Sequence, residues 1–177
     1  QLDSCVVSTD DAEIRDIAVE QGADAPFRRP AKLATDTATS DAVVEHALDW
    51  FEDRGESFQY VLKIQATNPF QTAADIDDAI EQLISSTATS IISVGTYDSP
   101  VVWALERDAK GFLSSHAETD HLWGESPARS QDLPEFVHPN GAFFGAAVES
   151  FRKAGSFYTA RTLGYEMPPE RSLDIDT

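Results

Sequence analysis

Basic residues are scarce in this sequence, and lysine is the scarcest of them. Lysine and arginine together number 13 against 31 aspartates and glutamates, which leaves a net charge of −18 at pH 7. A field of this sign repels polyanions and argues against a nucleic-acid partner. A lysine-poor acidic surface is favoured in a halophilic cytoplasm, because molar salt screens the self-repulsion. An ordinary acidic domain is the alternative.

Long apolar runs and cysteines are also lacking. No stretch approaches the roughly 20 apolar residues of a membrane helix, and the N-terminal QLDSCVVSTDD does not have the pattern of a signal peptide. The single cysteine, Cys5, cannot form an intrachain disulfide, which suits a reducing compartment. The motifs GxSxG, CxxC and GxGxxG are absent, which argues against hydrolase, thioredoxin-like and dinucleotide-binding functions. We expect a soluble, cytoplasmic protein with no membrane partner.

Apolar residues recur with helical spacing in several segments of the chain. Helices are predicted from Asp10 to Gly22, over Asp41–Asp53, over Ala73–Ser85 and over Val148–Lys153. Asp10 and Glu13 have the spacing of a capping box and should start the first helix. That helix should bury the face that contains Ile14 and Ile17. Ser40 should cap the second helix.

Short apolar runs lie between these helices. Tyr60–Ile64, Ser90–Val94 and Ala142–Ala147 are predicted strands, and the near-continuous run of the first is expected for a strand covered on both faces. Strands and helices in alternation predict an α/β domain with a mostly parallel sheet and right-handed crossovers. Ligands bind such sheets at the carboxyl ends of the strands. The length of 177 residues predicts one domain, 1–177.

The alternation of predicted strands and helices stops after Pro100. Val101–Leu105 and Phe112–Leu113 flank the turn-forming stretch DAKG, which predicts a hairpin. The polar, irregular stretch Ser114–Pro134 follows, and it is longer than the usual connections of compact domains. We expect the region of about 98–138 to be a functional flap or an arm that reaches another subunit.

Four separated motifs resemble, in the same order, those of the acylneuraminate cytidylyltransferases, or CMP-sialic acid synthetases. They are VVSTDD (Val6 to Asp11), RPAKLATDTATS (Arg29 to Ser40), IQATNPFQT (Ile64 to Thr72) and the pair PNGAFF (Pro139 to Phe144) with ERSLDIDT (Glu170 to Thr177). For the last three the family has RPxELAxDxxxS, LQPTSPLRT and the pair NGAIY with SxDIDT. DIDT after PPERS, downstream of an NGA strand, is the specific match, whereas VSTDD alone would be weak.

The resemblance implies a three-layer, Rossmann-like nucleotide-diphospho-sugar transferase fold with a β-hairpin or flap insertion. It implies a nucleotidyltransferase that moves CMP from CTP to the anomeric hydroxyl of a nine-carbon α-keto sugar acid and releases pyrophosphate. The implied partners are CTP, the acidic sugar and a second copy in a homodimer. The matching motifs do not distinguish sialic, legionaminic and pseudaminic acids. A CMP-Kdo synthetase-like enzyme and a non-catalytic binding or dimerisation module are the alternatives.

The resemblance makes Asp174 and Asp176 the catalytic metal ligands. In an extended DID segment these two side chains point to the same face, so two carboxylates can share one hard cation. Mg²⁺ held there would offset charge on the phosphates of CTP. A solvated acidic C-terminus is the alternative.

The resemblance assigns ligand contacts to eight further residues. Arg29 and Ser40 would contact the nucleotide, Ser40 from a helix N-terminus. On the sugar side it names Gln65, Arg129, Asn140, Phe144, Phe157 and Tyr158. The guanidinium of Arg129 suits a substrate carboxylate, with Ser130 in the alternative register. A plain N-cap for Ser40 and core packing for the three aromatic residues are the alternatives.

Two departures from the family pattern stand beside these matches. The family's N-terminal segment ARxGSKxxxxKN, whose amides, arginine and lysines hold the triphosphate, is not among these residues. We therefore expect an N-terminally incomplete domain that binds CTP weakly and does not turn over unless the native protein supplies that segment. In PVVWALER, Glu106 also replaces a lysine that the family often has.

Overall fold

The computed structural model describes residues 2–116 and 129–175. The helices are α1 (Ala12–Glu20), α2 (Ser40–Glu52), α3 (Ala73–Ser85) and α4 (Val148–Ala154). The strands are β1 (Tyr60–Ile64), β2 (Ser90–Thr96), β3 (Leu105–Arg107), β4 (Leu113–Ser115), β5 (Val137–Ala147) and β6 (Thr162–Glu166). None of the helices in these described ranges is long and apolar enough to cross a membrane. The predicted α/β class is confirmed.

Four strands form the main sheet in the order β1-β5-β2-β6, and β3 and β4 form a separate pair. β1 pairs antiparallel with β5, from Tyr60 opposite Ala147 to Ile64 opposite Phe143. β1 is an edge strand with two exposed end residues and three half-buried residues between them. The expectation that both of its faces are covered was therefore wrong. β2 lies inside the sheet and is buried from Ser90 to Gly95. β6 was not foreseen.

Contacts divide the chain into two compact units, each built from separate segments. Unit 1 contains the chain up to Ile64, Ala73–Ile92 and Phe143–Leu163; unit 2 contains Gln65–Thr72, the described residues from Ser93 to Ala142, and the chain from Gly164 onward. Strands β2, β5 and β6 each contribute residues to both units. The expectation of a single domain over 1–177 stays a prediction.

The core of unit 1 is apolar and rich in aromatic rings. Its buried side chains include Leu48, Phe51, Ile76, Ala79, Leu83, Ile91, Phe143, Phe151 and Phe157. Gly145 of β5 allows close packing here, because a Cβ at this position would lie 2.8 Å from Leu62 Cδ1 and 3.1 Å from Ile91 Cγ2. A side chain at residue 145 would therefore overpack the core.

Ion pairs join α4 to α2 at the surface of unit 1. Arg152 contacts Asp49 at 2.7 Å and Glu52 at 3.1 Å. The hydrogen bond with Asp49 is the main reason that the pKa of Arg152 is raised above its ordinary value. The guanidinium is charged at any pH at which the protein folds, so this pair orients α4 rather than acting as a switch.

The N-terminus of α1 is capped one residue later than the spacing predicts. Asp11, not Asp10, is the N-cap, and its carboxylate accepts from the amides of Glu13 and Ile14 at 2.7 and 3.1 Å. The helix stops as predicted before Gly22, which has a φ of 90°. A side chain would be strained at that φ, which explains a glycine after the helix.

The predicted buried face of α1 was wrong. Ile14 and Ile17 are 54% and 53% exposed, and α1 has no buried residue. Next to the helix, Val6 and Asp24 form an isolated parallel bridge. That bridge ties the flanks of α1 together through backbone bonds and covers none of its apolar side chains.

The hairpin was predicted in the right place with shifted bounds. Its first strand is Leu105–Arg107, and residues 101–103 form a 3-10 turn instead of a strand. Asp108 organises the turn, since its carboxylate accepts from the amides of Lys110 and Phe112 at 2.8 and 2.9 Å. Much of the expected flap, residues 117–128, lies outside the described residues.

Candidate functional site

Three of the five motif segments, IQATNPFQT, PNGAFF and ERSLDIDT, meet in unit 2 around one buried amide. Asn68 is fully buried, and its Nδ2 donates to the carbonyl oxygen of Asn140 at 2.9 Å and of Leu173 at 3.2 Å. The carbonyl oxygen of Thr67 accepts from the amide of Ile175 at 2.9 Å. A buried amide with both donors satisfied is a strong crosslink, because losing it leaves two carbonyls unpaired.

Asp174 lies at this junction with its carboxylate beside Gly141. A Cβ on Gly141 would lie 3.0 Å from Asp174 Oδ2 and 3.4 Å from Asn68 Oδ1. Gly141 lies inside β5 with a φ of 81°, so the glycine allows this backbone conformation and leaves space for the carboxylate. Asp174 as a whole is exposed, and the carboxylate can therefore meet a ligand. Asp176 lies outside the described residues.

Asn140 holds the strand entering this junction. Its Nδ2 donates to Ser172 Oγ at 3.0 Å, and its Oδ1 accepts from the amide of Ala142 at 3.3 Å. The residue is only 4% exposed, which leaves little surface for a ligand. Ser172 Oγ in turn donates to the carbonyl oxygen of Met167 or Pro168, both at 3.1 Å. Asn140 thus fixes the segment that precedes Asp174.

Gln65 begins the loop that follows β1. Its amide donates to the carbonyl oxygen of Ala142 at 3.0 Å, and its carbonyl oxygen accepts from Gln71 Nε2 at 3.0 Å. No side-chain bond of Gln65 is recorded within the described residues, and the side chain is partly exposed. An amide in this state can both donate to and accept from a polyhydroxylated ligand.

Arg29 is tied in unit 1 to the motif VVSTDD. Its guanidinium donates to the carbonyl oxygen of Ser8 and, at 3.4 Å, to Ser8 Oγ, and its amide donates to the carbonyl oxygen of Thr9 at 2.9 Å. The first two motifs of the sequence are therefore one structural feature. The partly exposed guanidinium has five N–H donors, so it keeps donors for an anionic ligand.

The prediction that Ser40 caps α2 was wrong. Thr39 is the N-cap, and its Oγ1 accepts from the amide of Ala42 at 3.3 Å. Ser40 is the first helical residue, and its Oγ accepts from Lys63 Nζ at 2.7 Å. The hydroxyl of Ser40 is exposed beside a helix N-terminus, where anions and polar ligands are favoured.

The three predicted aromatic residues gather in unit 1 but differ in exposure. Phe144 and Phe157 are 9% and 1% exposed, with ring centroids 6.0 Å apart, and they pack in the core. Tyr158 is 56% exposed, with its ring 6.5 Å from that of Phe144. Tyr158 is therefore the member of this group whose ring a ligand can reach.

A cluster of hydroxyl groups fixes the turn that carries Phe157 and Tyr158. Ser90 Oγ, at the start of β2, is buried and lies 2.8 Å from the Oγ1 atoms of Thr159 and Thr162. Thr89 Oγ1 lies 2.7 Å from Thr159 Oγ1. A fully paired hydroxyl network of this kind rigidifies the backbone that bears it.

Arg129 is exposed, and its carbonyl oxygen accepts a hydrogen bond from the amide of Asp132 at 2.9 Å. This bond belongs to the turn that precedes β5. The side chain faces solvent, as a residue that captures a dissolved carboxylate would.

Two residues of these clusters were missed by sequence reasoning. In the matched loop Asn68 stands where the family has serine, and Lys63 belongs to the apolar strand Tyr60–Ile64. A polar residue within a loop match and a lone lysine in an apolar run were the available signals. Neither signal indicates burial, which depends on segments that are distant in sequence.

Comparison with known proteins identifies cytidylyltransferases as similar to this chain. The sequence profile described as "Cytidylyltransferase" matches residues 1–153. N-acylneuraminate cytidylyltransferase of Streptococcus agalactiae serotype III (strain NEM316) is 34% identical over 172 residues, which cover 97% of this chain and 39% of that protein. The chain thus spans about two fifths (39%) of the length of that relative.

Two other similar proteins have names that refer to different sugar acids. Pseudaminic acid cytidylyltransferase of Campylobacter jejuni serotype O:2 is 26% identical over 178 residues, covering 99% of this chain and 74% of that protein. A solved structure of CMP:2-keto-3-deoxy-manno-octonic acid synthetase with CTP matches with a TM-score of 0.58 at 11% identity, over 99% of this chain and 76% of that one. At that identity the match concerns the fold alone. The expected nucleotide-sugar transferase fold is confirmed.

Proposed function

We propose, because this chain belongs to the cytidylyltransferase family, that it contributes to the transfer of CMP from CTP to a nine-carbon α-keto sugar acid. In this reaction the anomeric hydroxyl oxygen attacks the α-phosphorus. A new P–O bond forms, the bond to the β-phosphate oxygen breaks, and pyrophosphate leaves with loss of the hydroxyl proton. The observation that carries the proposal is the junction around Asn68, which gathers three motif segments beside the exposed carboxylate of Asp174.

The nucleotide contacts of the proposal come from unit 1. Arg29 keeps donors for a phosphate or ribose oxygen while Ser8 holds it in place. Ser40 offers a hydroxyl from the first turn of α2. Both groups suit a nucleotide that the net charge of the chain would otherwise repel.

We assign contacts with the sugar to those predicted side chains that are exposed or partly exposed. In unit 2, Gln65 would bond sugar hydroxyls and Arg129 would pair with the substrate carboxylate. In unit 1, the exposed ring of Tyr158 would pack on the sugar. Asn140, Phe144 and Phe157 are nearly buried, so we assign them the shaping of these surfaces rather than direct contact.

Asp174 and Asp176 would hold the magnesium ion. Among the described residues no three His, Cys, Asp or Glu side chains form a cluster. This is compatible with Mg²⁺, which is usually bound through one or two carboxylates while substrate phosphates and water complete the shell. The exposed carboxylate beside Gly141 fits that donor set. When bound, Mg²⁺ would neutralise charge that develops on the phosphates.

Transfer assays on the chain in its natural full-length form test this proposal. CTP and Mg²⁺ would be supplied with sialic, legionaminic, pseudaminic or 2-keto-3-deoxy-octonic acid in turn, and pyrophosphate release would be measured with the CMP-sugar product. We expect turnover with at least one nine-carbon acid and much less with the eight-carbon acid. Nucleotide or sugar binding without turnover for any acid would instead support a non-catalytic module.

Replacing Gly141 by alanine should lower transfer activity without an unusual loss of stability. The positive φ costs about 1 to 2 kcal/mol for a side chain, and the new Cβ would push the flexible, exposed carboxylate of Asp174 away. A displaced catalytic group costs roughly tenfold to a hundredfold in rate. Thermal unfolding and initial rates of transfer measure the two effects.

Gly22→Ala is the matched control for Gly141→Ala. Gly22 follows α1 and has a φ of 90° with nothing within 4 Å of an added Cβ, so it has the same backbone strain without the contact. We expect similar losses of stability in both variants and a loss of rate only in Gly141→Ala. Equal rates in the two variants would show that the position of Asp174 does not matter for transfer.

The homodimer of the proposal would form through the hairpin of unit 2. Phe112, Leu113 and Leu105 are 72%, 53% and 40% exposed, an apolar group unusual for a monomer surface. In a symmetric dimer Phe112→Ser removes one aromatic ring from each subunit at the interface. The dissociation constant of the dimer should therefore rise roughly a hundredfold. Sedimentation velocity over a concentration series measures it.

Ile84→Ser provides the control for the dimer. Ile84 lies on α3 in unit 1 and is 55% exposed, so its replacement changes surface hydropathy away from the hairpin. We expect Ile84→Ser to dimerise like the unaltered chain. A monomeric unaltered chain, or dissociation by Ile84→Ser and not by Phe112→Ser, would contradict this interface.

A further inference from the structure

We propose that Lys63 fixes the Ser40 hydroxyl as a hydrogen-bond donor toward the nucleotide base, and that this contributes to the choice of cytosine over uracil. The inference rests on the proposed function, which brings a nucleotide to Ser40. It adds Lys63 as a positioning residue that acts through Ser40.

The ammonium group of Lys63 is surrounded by polar and aromatic side chains of unit 1. Its side chain is 14% exposed, and Nζ lies 2.7 Å from Ser40 Oγ and 3.4 Å from Asp41 Oδ1. Nζ also lies over the rings of Phe144 and Phe157, at 4.2 and 5.1 Å from their centroids. These contacts occupy the ammonium group, so its role is to orient its neighbours rather than to hold a ligand itself.

The direction of the bond between Lys63 and Ser40 follows from chemistry. An ammonium group has three N–H donors and no acceptor, so Ser40 Oγ must accept. The hydroxyl proton of Ser40 therefore points away from Lys63. Ser40 is also relieved of capping α2, because the Oγ1 of Thr39 accepts from the amide of Ala42. The exposed hydroxyl is thus left as a donor toward solvent or a ligand.

A fixed donor distinguishes the two pyrimidines. The ring nitrogen N3 of cytosine is an acceptor, whereas N3 of uracil carries a hydrogen and is a donor. The hydroxyl proton that Lys63 directs away from itself can be donated to N3 of cytosine, whereas N3–H of uracil is a donor that meets this proton unless the hydroxyl turns and accepts with its remaining lone pair. Leaving polar groups unpaired at a site is how hydrogen bonding rejects an analogue.

Nucleotide binding to a set of variants tests this role. The chain in its natural full-length form would be titrated calorimetrically with CTP and with UTP, without sugar acid, and the ratio of the two affinities compared. Lys63→Met keeps the aliphatic stem and removes the donors, and it should lower the preference for CTP roughly tenfold, the share of one hydrogen bond. Lys63→Arg keeps a donor and should retain most of the preference. Lys153→Met, at an exposed position on α4, has the same charge change and should retain all of it.

A double-mutant cycle separates positioning from plain structural support. Ser40→Ala should lose the preference to the same extent as Lys63→Met, and the double variant should lose no more, because both changes remove one interaction. Additive losses, or an unchanged ratio in Lys63→Met, would overturn the role of Lys63 and leave the proposed function standing. Binding of neither nucleotide by the folded, unaltered chain would overturn both.

Discussion

Replacing Asp174 by asparagine should lower the rate of CMP transfer by roughly a hundredfold or more, since metal stabilisation of the transition state amounts to several kcal/mol. The amide keeps the shape of the carboxylate, so the packing beside Gly141 persists. What is lost is a negative charge where the proposal places Mg²⁺. Unfolding temperatures should change little, because Asp174 is exposed. Steady-state rates over a range of Mg²⁺ concentrations measure the effect.

Glu170→Gln is the control for Asp174→Asn. Glu170 is exposed in the 3-10 turn just before the DIDT segment, and its replacement removes the same charge from the same region. We expect this variant to keep nearly the full rate and its Mg²⁺ dependence. If both variants lost the same rate, the loss would reflect the general acidic field and not a metal ligand.

Replacing Asn68 by aspartate should destabilise the chain by about 3 kcal/mol or more, the cost of breaking a buried hydrogen-bonded group and leaving a charge unpaired. The two shapes are nearly identical, but the donors that serve the carbonyl oxygens of Asn140 and Leu173 become acceptors. Acidification should restore part of the stability, because a protonated carboxyl can donate to one of those oxygens. Urea unfolding at two pH values measures both effects.

Gln131→Glu makes the same change from amide to acid at an exposed position of unit 2. It should leave the free energy of unfolding within about 0.5 kcal/mol of the original value, as surface substitutions usually do. Near-equal stabilities of Asn68→Asp and Gln131→Glu at neutral pH would show that the buried amide does not hold the junction together.

Local periodicity was enough to predict most regular elements. The predicted helix Ala73–Ser85 and strand Tyr60–Ile64 have the bounds that the structure shows, because a run of helical or strand period is a local property of the chain. The exposure of Ile14 and Ile17 on α1 could not be read the same way. An apolar face is buried only if another element covers it, and periodicity says nothing about the partner.

The candidate site was predictable in its motifs and not in its connections. The matches to IQATNPFQT, PNGAFF and ERSLDIDT identified segments that the structure joins at Asn68. The partners of Lys63 depend on β1 and β5 pairing so that Lys63 lies opposite Phe144. That register comes from antiparallel pairing between strands far apart in sequence, which no local pattern specifies.

Calorimetric titration of CTP into the chain in its natural full-length form, with Mg²⁺ and then with the divalent cation chelated, tests whether the C-terminal aspartates bind a catalytic metal. We expect CTP binding that weakens strongly on chelation and that becomes insensitive to Mg²⁺ in Asp174→Asn. Equally tight CTP binding with and without Mg²⁺, or no binding in either condition, would contradict the assignment of the C-terminal aspartates as the ligands of a catalytic metal.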